Sequence, residues 1–373
     1  MLYRENGQFK TTYRADQQVF PIAQDRIFIG LLLAVALVLV PMFASEYIFR
    51  AVLIPFLILS LAALGLNILV GYCGQISLGT GAFMAVGAYG LAIVTAPESD
   101  GGFGLSLWLG VVVAVLAAIV LALLMGIPTL RLRGDYLAIV TIAVSEIIRL
   151  VLRSEWSDQN LSTGGNSGIN GFARPFYDAN PFVNSKRYEL GPFQYSGREL
   201  WVMLVGWGVV LFFAVLTFLL MRSPWGRVLR SIRENEDAVR SLGKNVQGYK
   251  MQALVLGGIM GAFGGVILAI FQNLALPDDF VTRTTFLAYA ALILGGAARV
   301  GGPIVGGIIW YTLFSFMNNL VTQMKAADVF PSGVKPNAGQ LPFIFLGLAL
   351  MALVIFRPQG IFGDRKEVEL DAR

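Results

Sequence analysis

The chain reads as an all-α integral membrane protein with about ten transmembrane helices and cytoplasmic termini, and three observations point there. Of its 373 residues, 56% are apolar and only 14% charged, with a mean hydropathy of +0.69, outside the range of soluble domains. Long runs lack Asp, Glu, Lys and Arg altogether: 27–45, 51–97, 101–130, 200–221, 251–277, 284–298, 300–324 and 336–356. A helix crosses the hydrocarbon layer with about 20 apolar residues, so most of these runs are spans. The third observation is the placing of bases. With both termini inside, residues 1–26, 131–133, 222–250, 299 and 357–373 put most of the 28 Lys and Arg on the cytoplasmic side.

In chain order the expected spans are about 27–44, 50–70, 76–96, 106–127, 135–152, 200–221, 251–271, 285–298, 303–322 and 340–356. The run 51–97 is long enough for two, and Gly71 to Gln75 supplies the turn chemistry that divides it. The span at 135–152 carries Glu146 and Arg149. The eighth is short, with Gly295, Gly296, Gly301, Gly302 and Pro303 around its end, which leaves a broken or re-entrant helix open. The first run shows no small-residue cleavage site and reads as a retained anchor, not a signal peptide. Tails at 1–26 and 357–373 thus flank one transmembrane domain, 27–356, with a polar extracytoplasmic loop at 153–199 and a basic cytoplasmic segment at 222–250.

Composition excludes several chemistries. A single cysteine, Cys73, allows no intramolecular disulfide, and the absence of histidine removes the usual general base and the commonest metal ligand. Neither a metal site, a cofactor nor a Ser-His-Asp hydrolase is expected. No G-x-x-x-x-G-K-[ST] phosphate loop occurs, so the chain is not expected to hydrolyse ATP. The net charge of +5 follows from the inside-positive bias, and no nucleic-acid partner is read into it.

Candidate functional residues fall in three places. Glu146 lies inside a span with Arg149 at i+3 on the same face, which reads as an intramembrane ion pair or as part of a substrate path. One paired carboxylate makes a poor proton relay. The third helix is built from Ser77, Gly79, Gly81, Ala85, Gly87 and Gly90, small residues that let helices approach closely. Its glycine backbone, with Asn67, Gln75, Ser77, Gly79 and Thr80, is also a candidate translocation path, and the two readings are compatible. Last, within the basic stretch Arg222 to Lys250, Trp225, Leu229, Ile232, Val239 and Leu242 recur at helical spacing. That pattern predicts an amphipathic helix at a membrane face, suited to gripping another protein.

The basic stretch resembles the coupling segment of ABC importer permeases, whose motif runs Glu-Ala-Ala, three residues, Gly. Here Asp237, Ala238 and Val239 are followed by Gly243, so Asp and Val depart from the pattern. The wider run Gly226 to Glu236, then Ser241 to Val246 and Tyr249-Lys250, is similar to LivM-type permease subunits of bacterial branched-chain amino acid importers. The similarity extends through Leu66 to Gly71, Gln75 to Gly79, Leu130 to Thr141 with Glu146 and Arg149, Thr163 to Ile169, and Gly295 to Gly307, covering about residues 55–360. Asn166 stands where the family commonly has Pro.

The resemblance implies half of a transporter in the bacterial inner membrane. It would pair with a homologous second permease subunit and receive a branched-chain or other neutral amino acid from a periplasmic substrate-binding protein. Two cytoplasmic ATPase subunits would dock on Gly226, Arg230, Arg233, Glu234, Asp237, Ala238 and Gly243. Arg230 and Arg233 would face acidic groups of the ATPase, or simply satisfy the inside-positive bias. The alternatives are a urea or short-amide ABC permease and, further off, an ion-coupled secondary transporter.

Overall fold

The computed structural model describes residues 46–98, 102–129, 135–182, 187–190, 193–327, 339–356 and 360–361. The expected span at 27–44 and nearly all of both tails lie outside these residues. Each of the other nine expected spans coincides with a helix. After a single helical turn at Glu46–Ile48, the helices in chain order are α1 (Phe49–Tyr72), α2 (Thr80–Thr95), α3 (Leu107–Thr129), α4 (Asp135–Arg153), α5 (Glu155–Leu161), α6 (Arg174–Asp178), α7 (Gly197–Arg222), α8 (Pro224–Glu234), α9 (Glu236–Ser241), α10 (Val246–Gln272), α11 (Thr282–Gly295), α12 (Gly301–Ala326) and α13 (Leu341–Phe356). Five of them, α1, α3, α7, α10 and α12, are long and apolar enough to cross a membrane. The protein is therefore an all-α, multi-pass membrane protein.

Apolar composition alone does not say what each helix touches. In the most apolar stretch of α1, 89% of residues are buried inside the protein, against 28% for α3 and for α12. The difference is one of position: α1 is central, with α7, α10, α11 and α12 packed around it, while α2 wedges between α10 and α3. Glycines set how close these helices come. A Cβ added at Gly65 of α1 would lie 2.3 Å from the carbonyl oxygen of Gly257 on α10, and one at Gly257 would meet that of Gly65 at 2.6 Å. On the other side of α10, a Cβ at Gly265 would meet Met84 O of α2 at 1.9 Å, and one at Gly87 would meet Ala262 O at 2.3 Å. The small-residue face expected of the third helix is thus a close-contact face, and its partner is a glycine-rich stripe on α10.

The glycine cluster near Gly295 is a tight turn between two helices. α11 ends at Gly295, Gly296 (φ +101°) and Ala298 (φ +59°) turn the chain, and α12 begins at Gly301. Backbones then touch along the hairpin: a Cβ at Gly306 would sit 1.9 Å from Ala291 O. With 14 residues, α11 is about 21 Å long at 1.5 Å per residue, short of a hydrocarbon core of about 30 Å.

The polar loop 153–199 is a structured cap. It holds α5, a 3-10 turn, strand β1 (Ile169–Asn170), α6, and strands β2 (Arg187–Leu190) and β3 (Phe193–Ser196). β1 pairs antiparallel with β4 (Leu274–Ala275), just beyond α10, with Ile169 opposite Ala275, and β2 pairs with β3. Phe172, Ala173 and Phe176 are buried, and Tyr177 donates its hydroxyl to Ile270 O at 2.9 Å. These contacts tie the loop to the end of α10.

Candidate functional site

Between α1 and α2 the chain leaves the helix and is irregular from Gly74 to Gly79. Unpaired backbone groups are costly at membrane depth, and here hydroxyls from other helices satisfy them. Tyr289 of α11 accepts the Ser77 N–H at 3.2 Å and donates to Ser77 O at 2.9 Å. Thr141 of α4 accepts the Leu78 N–H at 2.8 Å, and Thr285 of α11 accepts the Gly81 N–H at 2.9 Å. None of these three anchors was among the candidate residues. Their only sequence signal is a hydroxyl in an otherwise apolar span.

Beside this segment lies a small cleft lined by Ser77, Thr80, Leu66, Leu69, Phe83 and glycines of α1 and α10. About 10 Å³ of it is open to the centre of a water-sized sphere, room for roughly one water. Of the five candidate path residues, Ser77 and Thr80 line it and Gly79 lies between them in sequence. Gln75, half-buried, is not in its wall. Asn67 points elsewhere: fully buried, it donates to Arg299 O at 3.0 Å and accepts the Ala298 N–H at 2.9 Å, holding the α11–α12 turn against α1.

The basic stretch forms two short helices where the spacing predicted one. Asn235 (φ −155°, ψ 103°) breaks the helix, and its side chain accepts the Ala238 N–H at 3.0 Å, capping α9. Leu229, Ile232 and Val239 are buried as the stripe predicts, but Leu242 is 80% exposed. Gly226 is a contact point, since a Cβ there would lie 2.5 Å from Met221 Cα. Gly243 turns with φ +75° into open space, a conformation that glycine adopts without cost. Glu234, Asp237, Ala238, Leu242, Gly243 and Lys244 are all exposed, the first two with 74% and 70% of their side chains open.

Arg230 and Arg233, which the resemblance would turn toward a partner, each have a contact within the chain. Arg233 Nη1 donates to Gly71 O, at the end of α1, at 2.7 Å. The Arg230 guanidinium lies 5.6 Å from the Tyr72 ring centroid. Arg230 remains exposed and Arg233 is partly buried, yet each reaches the end of α1, where a helix C-terminus offers unpaired carbonyls to a cation. Behind them Lys250, almost fully buried, binds Glu236 at 2.6 Å, and Glu236 also takes Arg240 at 2.8 Å. This buried pair was not singled out in the sequence, where Lys250 is one base among many.

At the opposite end of the bundle, Arg149 pairs with Glu146 at 2.6 Å and with Asp278 at 2.7 Å. Arg153 reaches the same Asp278 at 3.6 Å and donates to Asn166. The intrahelical pair is therefore part of a cluster that ties α4 to the turn Pro277–Phe280. Among the described residues, no group of three acidic or cysteine side chains could hold a metal ion.

Comparison with known proteins fits this arrangement. The sequence profile of the family described as branched-chain amino acid transport system / permease component matches residues 48–355. The chain is 30% identical over 308 residues to the high-affinity branched-chain amino acid transport system permease protein LivM of Escherichia coli K12, covering 80% of this chain and 66% of that protein. It is 26% identical over 270 residues to a probable LivM protein of Methanocaldococcus jannaschii, covering 71% and 70% of the two chains. The autoinducer 2 import system permease protein LsrC of E. coli is 29% identical over 157 residues, 42% of this chain and 43% of that one. The first of these matches leaves about a third of the E. coli protein unaligned. A profile match across most of the chain, over the same helices that build the core, shows that it belongs to the family of branched-chain amino acid transport system permease components.

Proposed function

We propose that the chain is the transmembrane permease subunit of an ABC importer that carries branched-chain or other neutral amino acids. It forms half of the translocation path beside a homologous second permease subunit, in a bacterial inner membrane, with about ten spans and both termini cytoplasmic. ATP is hydrolysed by two separate cytoplasmic ATPase subunits, and a periplasmic substrate-binding protein delivers the solute.

The observation that carries this reading is the exposed tip between α7 and α10. α8 and α9 are held to the bundle by buried Leu229, Ile232 and Val239, and they leave Glu234, Asp237, Ala238, Leu242 and Gly243 uncovered. An 80% exposed leucine beside an acidic edge and an obstacle-free glycine suits a groove on a soluble partner. The solute path passes Ser77 and Thr80, with Gly79 giving close backbone approach. The cleft beside them holds little more than a water, so it must widen for an amino acid to pass.

Purification of the chain from its native membrane in mild detergent tests the reading. Two phosphate-loop ATPases and a second permease should come with it. Gly243→Trp and Glu234→Arg should release the ATPases or reduce transport-coupled hydrolysis while the chain still inserts in the membrane. Isolation as a lone transporter that moves solute in ATP-free vesicles would overturn the reading.

A further inference from the structure

The coupling segment touches the cleft-forming stretch of chain through Arg233. Arg233 is on α8, one residue from exposed Glu234, yet its guanidinium donates to Gly71 O in the last turn of α1. Its aliphatic stem lies against the next turn of chain: a Cβ added at Gly74 would be 2.9 Å from Arg233 Cγ. Gly74 (φ +70°) is where the non-helical segment 74–79 begins. That segment carries Ser77 into the cleft wall, and its backbone is held by Thr141 and Tyr289 from α4 and α11. A movement of α8 relative to the bundle therefore reaches the cleft wall through Gly71 and Gly74.

We infer that Arg233 is a positioning residue that links the tilt of α8 to the position of segment 74–79, and so to the opening of the cleft at Ser77 and Thr80. The inference rests on the importer reading above and adds to it the residue through which the motion enters the bundle. The physical basis is the match between donor and acceptor. The last carbonyls of a helix lack intrahelical partners and carry partial negative charge, so a guanidinium there grips the helix end as a unit. A second contact, Arg230 over Tyr72, steadies the same end without reaching Gly74. The cleft wall itself is a piece of non-helical chain held by hydroxyls, which can exchange partners more readily than a helix can bend.

The test uses the whole complex purified through this chain and read at the cleft. Ser77→Cys is introduced with Cys73→Ala, the only native cysteine, and the rate of maleimide labelling of this chain is measured with and without ATP plus vanadate. With Arg233 present, trapping the nucleotide should change the labelling rate about tenfold, the size of an ordinary coupling between sites. With Arg233→Met the change should largely vanish while the ATPases remain bound, and Arg233→Lys, which can still donate to Gly71 O, should restore most of it. A full nucleotide response in Arg233→Met overturns the inference. So does a lysine variant no better than methionine, since a role in mere packing predicts that result. Loss of the ATPases in Arg233→Met also overturns it, by moving Arg233 to the docking surface. If the unaltered chain brings down no ATPase, the importer reading fails first and the inference with it.

Discussion

The two ends of the helical bundle both rely on arginine, and they use it differently. At the end carrying α8 and α9, Arg233 donates to a carbonyl of α1 and Arg230 lies over Tyr72, and the carboxylates that arginines hold there are near in sequence, Glu234 by Arg233 and Glu236 and Asp237 by Arg240. At the opposite end, Arg149 binds the carboxylates of Glu146 and Asp278, Arg153 adds to Asp278, and Arg50 pairs with Glu199 at the start of α7. A cation on helix carbonyls holds a backbone element as a whole, and its partner cannot rotate away. A guanidinium on a carboxylate holds two side chains, each with rotamers of its own. The first arrangement transmits position, and the second pins loops to helix ends. That difference matches the coupling proposed for one end and the cap, at 153–199, at the other.

The comparison breaks most visibly where the α8–α9 end departs from its own rule. Lys250 is held by a carboxylate there, with its side chain 3% exposed. Glu236→Ala leaves a buried ammonium without its partner and should cost about 3 kcal/mol, the usual penalty for breaking a buried pair from one side. Lowered thermal midpoint of the purified chain is the readout, and the double variant with Lys250→Met should recover most of the loss. A single variant as stable as the parent would show that Lys250 reaches solvent. At the opposite end, Arg149 is the hub and Glu146 a spoke. Arg149→Gln should cost about 1–2 kcal/mol, since two charge-assisted contacts go. Glu146→Gln should cost about 0.5 kcal/mol, because Arg149 keeps Asp278. Glu146→Gln should lower the amount of assembled protein without altering solute preference, and a clean change of preference at unchanged abundance would place Glu146 on the path instead.

Gly243 sharpens the comparison from the exposed tip. In the isolated chain Gly243→Ala and Gly243→Trp should cost about the same, roughly 1 kcal/mol, because the expense is the left-handed backbone and nothing surrounds the new side chain. Transport in the complex should separate them, with tryptophan far worse than alanine. Equal transport by both would mean that no partner approaches Gly243.

The positions of the helices were legible in sequence because charge-free runs and helix length are set by the bilayer alone, and nine of the ten expected spans fall on described helices. What surrounds each helix was not. α1 and α3 are equally apolar by eye, and only packing shows that one is the core and the other faces outward. The small residues of α2 were read as a close-contact face, while Gly258, Gly261 and Gly265 of α10, three and four residues apart, went unremarked though they form its partner. At the candidate site, Ser77 and Thr80 are marked in sequence by their place next to glycine in an apolar run, and both line the small cleft. Asn67 holds the α11–α12 turn by two backbone hydrogen bonds, and polarity in a span signals such a bond as readily as a path. The inward turn of Arg233 had no signal at all, since its partner is a backbone carbonyl 162 residues away in sequence.

Two neighbouring carboxylates at the capped end give the finest test. Asp278 is exposed and bound by Arg149 and Arg153, whereas Asp279 has a buried oxygen, Oδ2, with no hydrogen-bond partner among the described residues. Burial, and then the charge of Asp278, push the Asp279 carboxyl above its ordinary range, against a smaller downward pull from Gln272 and Arg283. A raised folded-state value means that the native chain holds this proton more tightly than the unfolded chain does. The contribution is therefore stabilising below the ordinary aspartate pKa of about 3.9 and is lost as pH rises through the raised value. At neutral pH Asp279→Asn should thus stabilise the protein, by about 0.5 kcal/mol or less because solvent still reaches the turn, and the gain should disappear in acid. Asp278→Asn should do the reverse, weakening the protein at neutral pH by removing the acceptor that Arg149 and Arg153 share. Thermal unfolding of both variants at neutral and acidic pH decides it. The same sign for both would mean that the two carboxylates act as one charge, and that the ion pairs of this end do not distinguish the side chain they bind from the one they leave out.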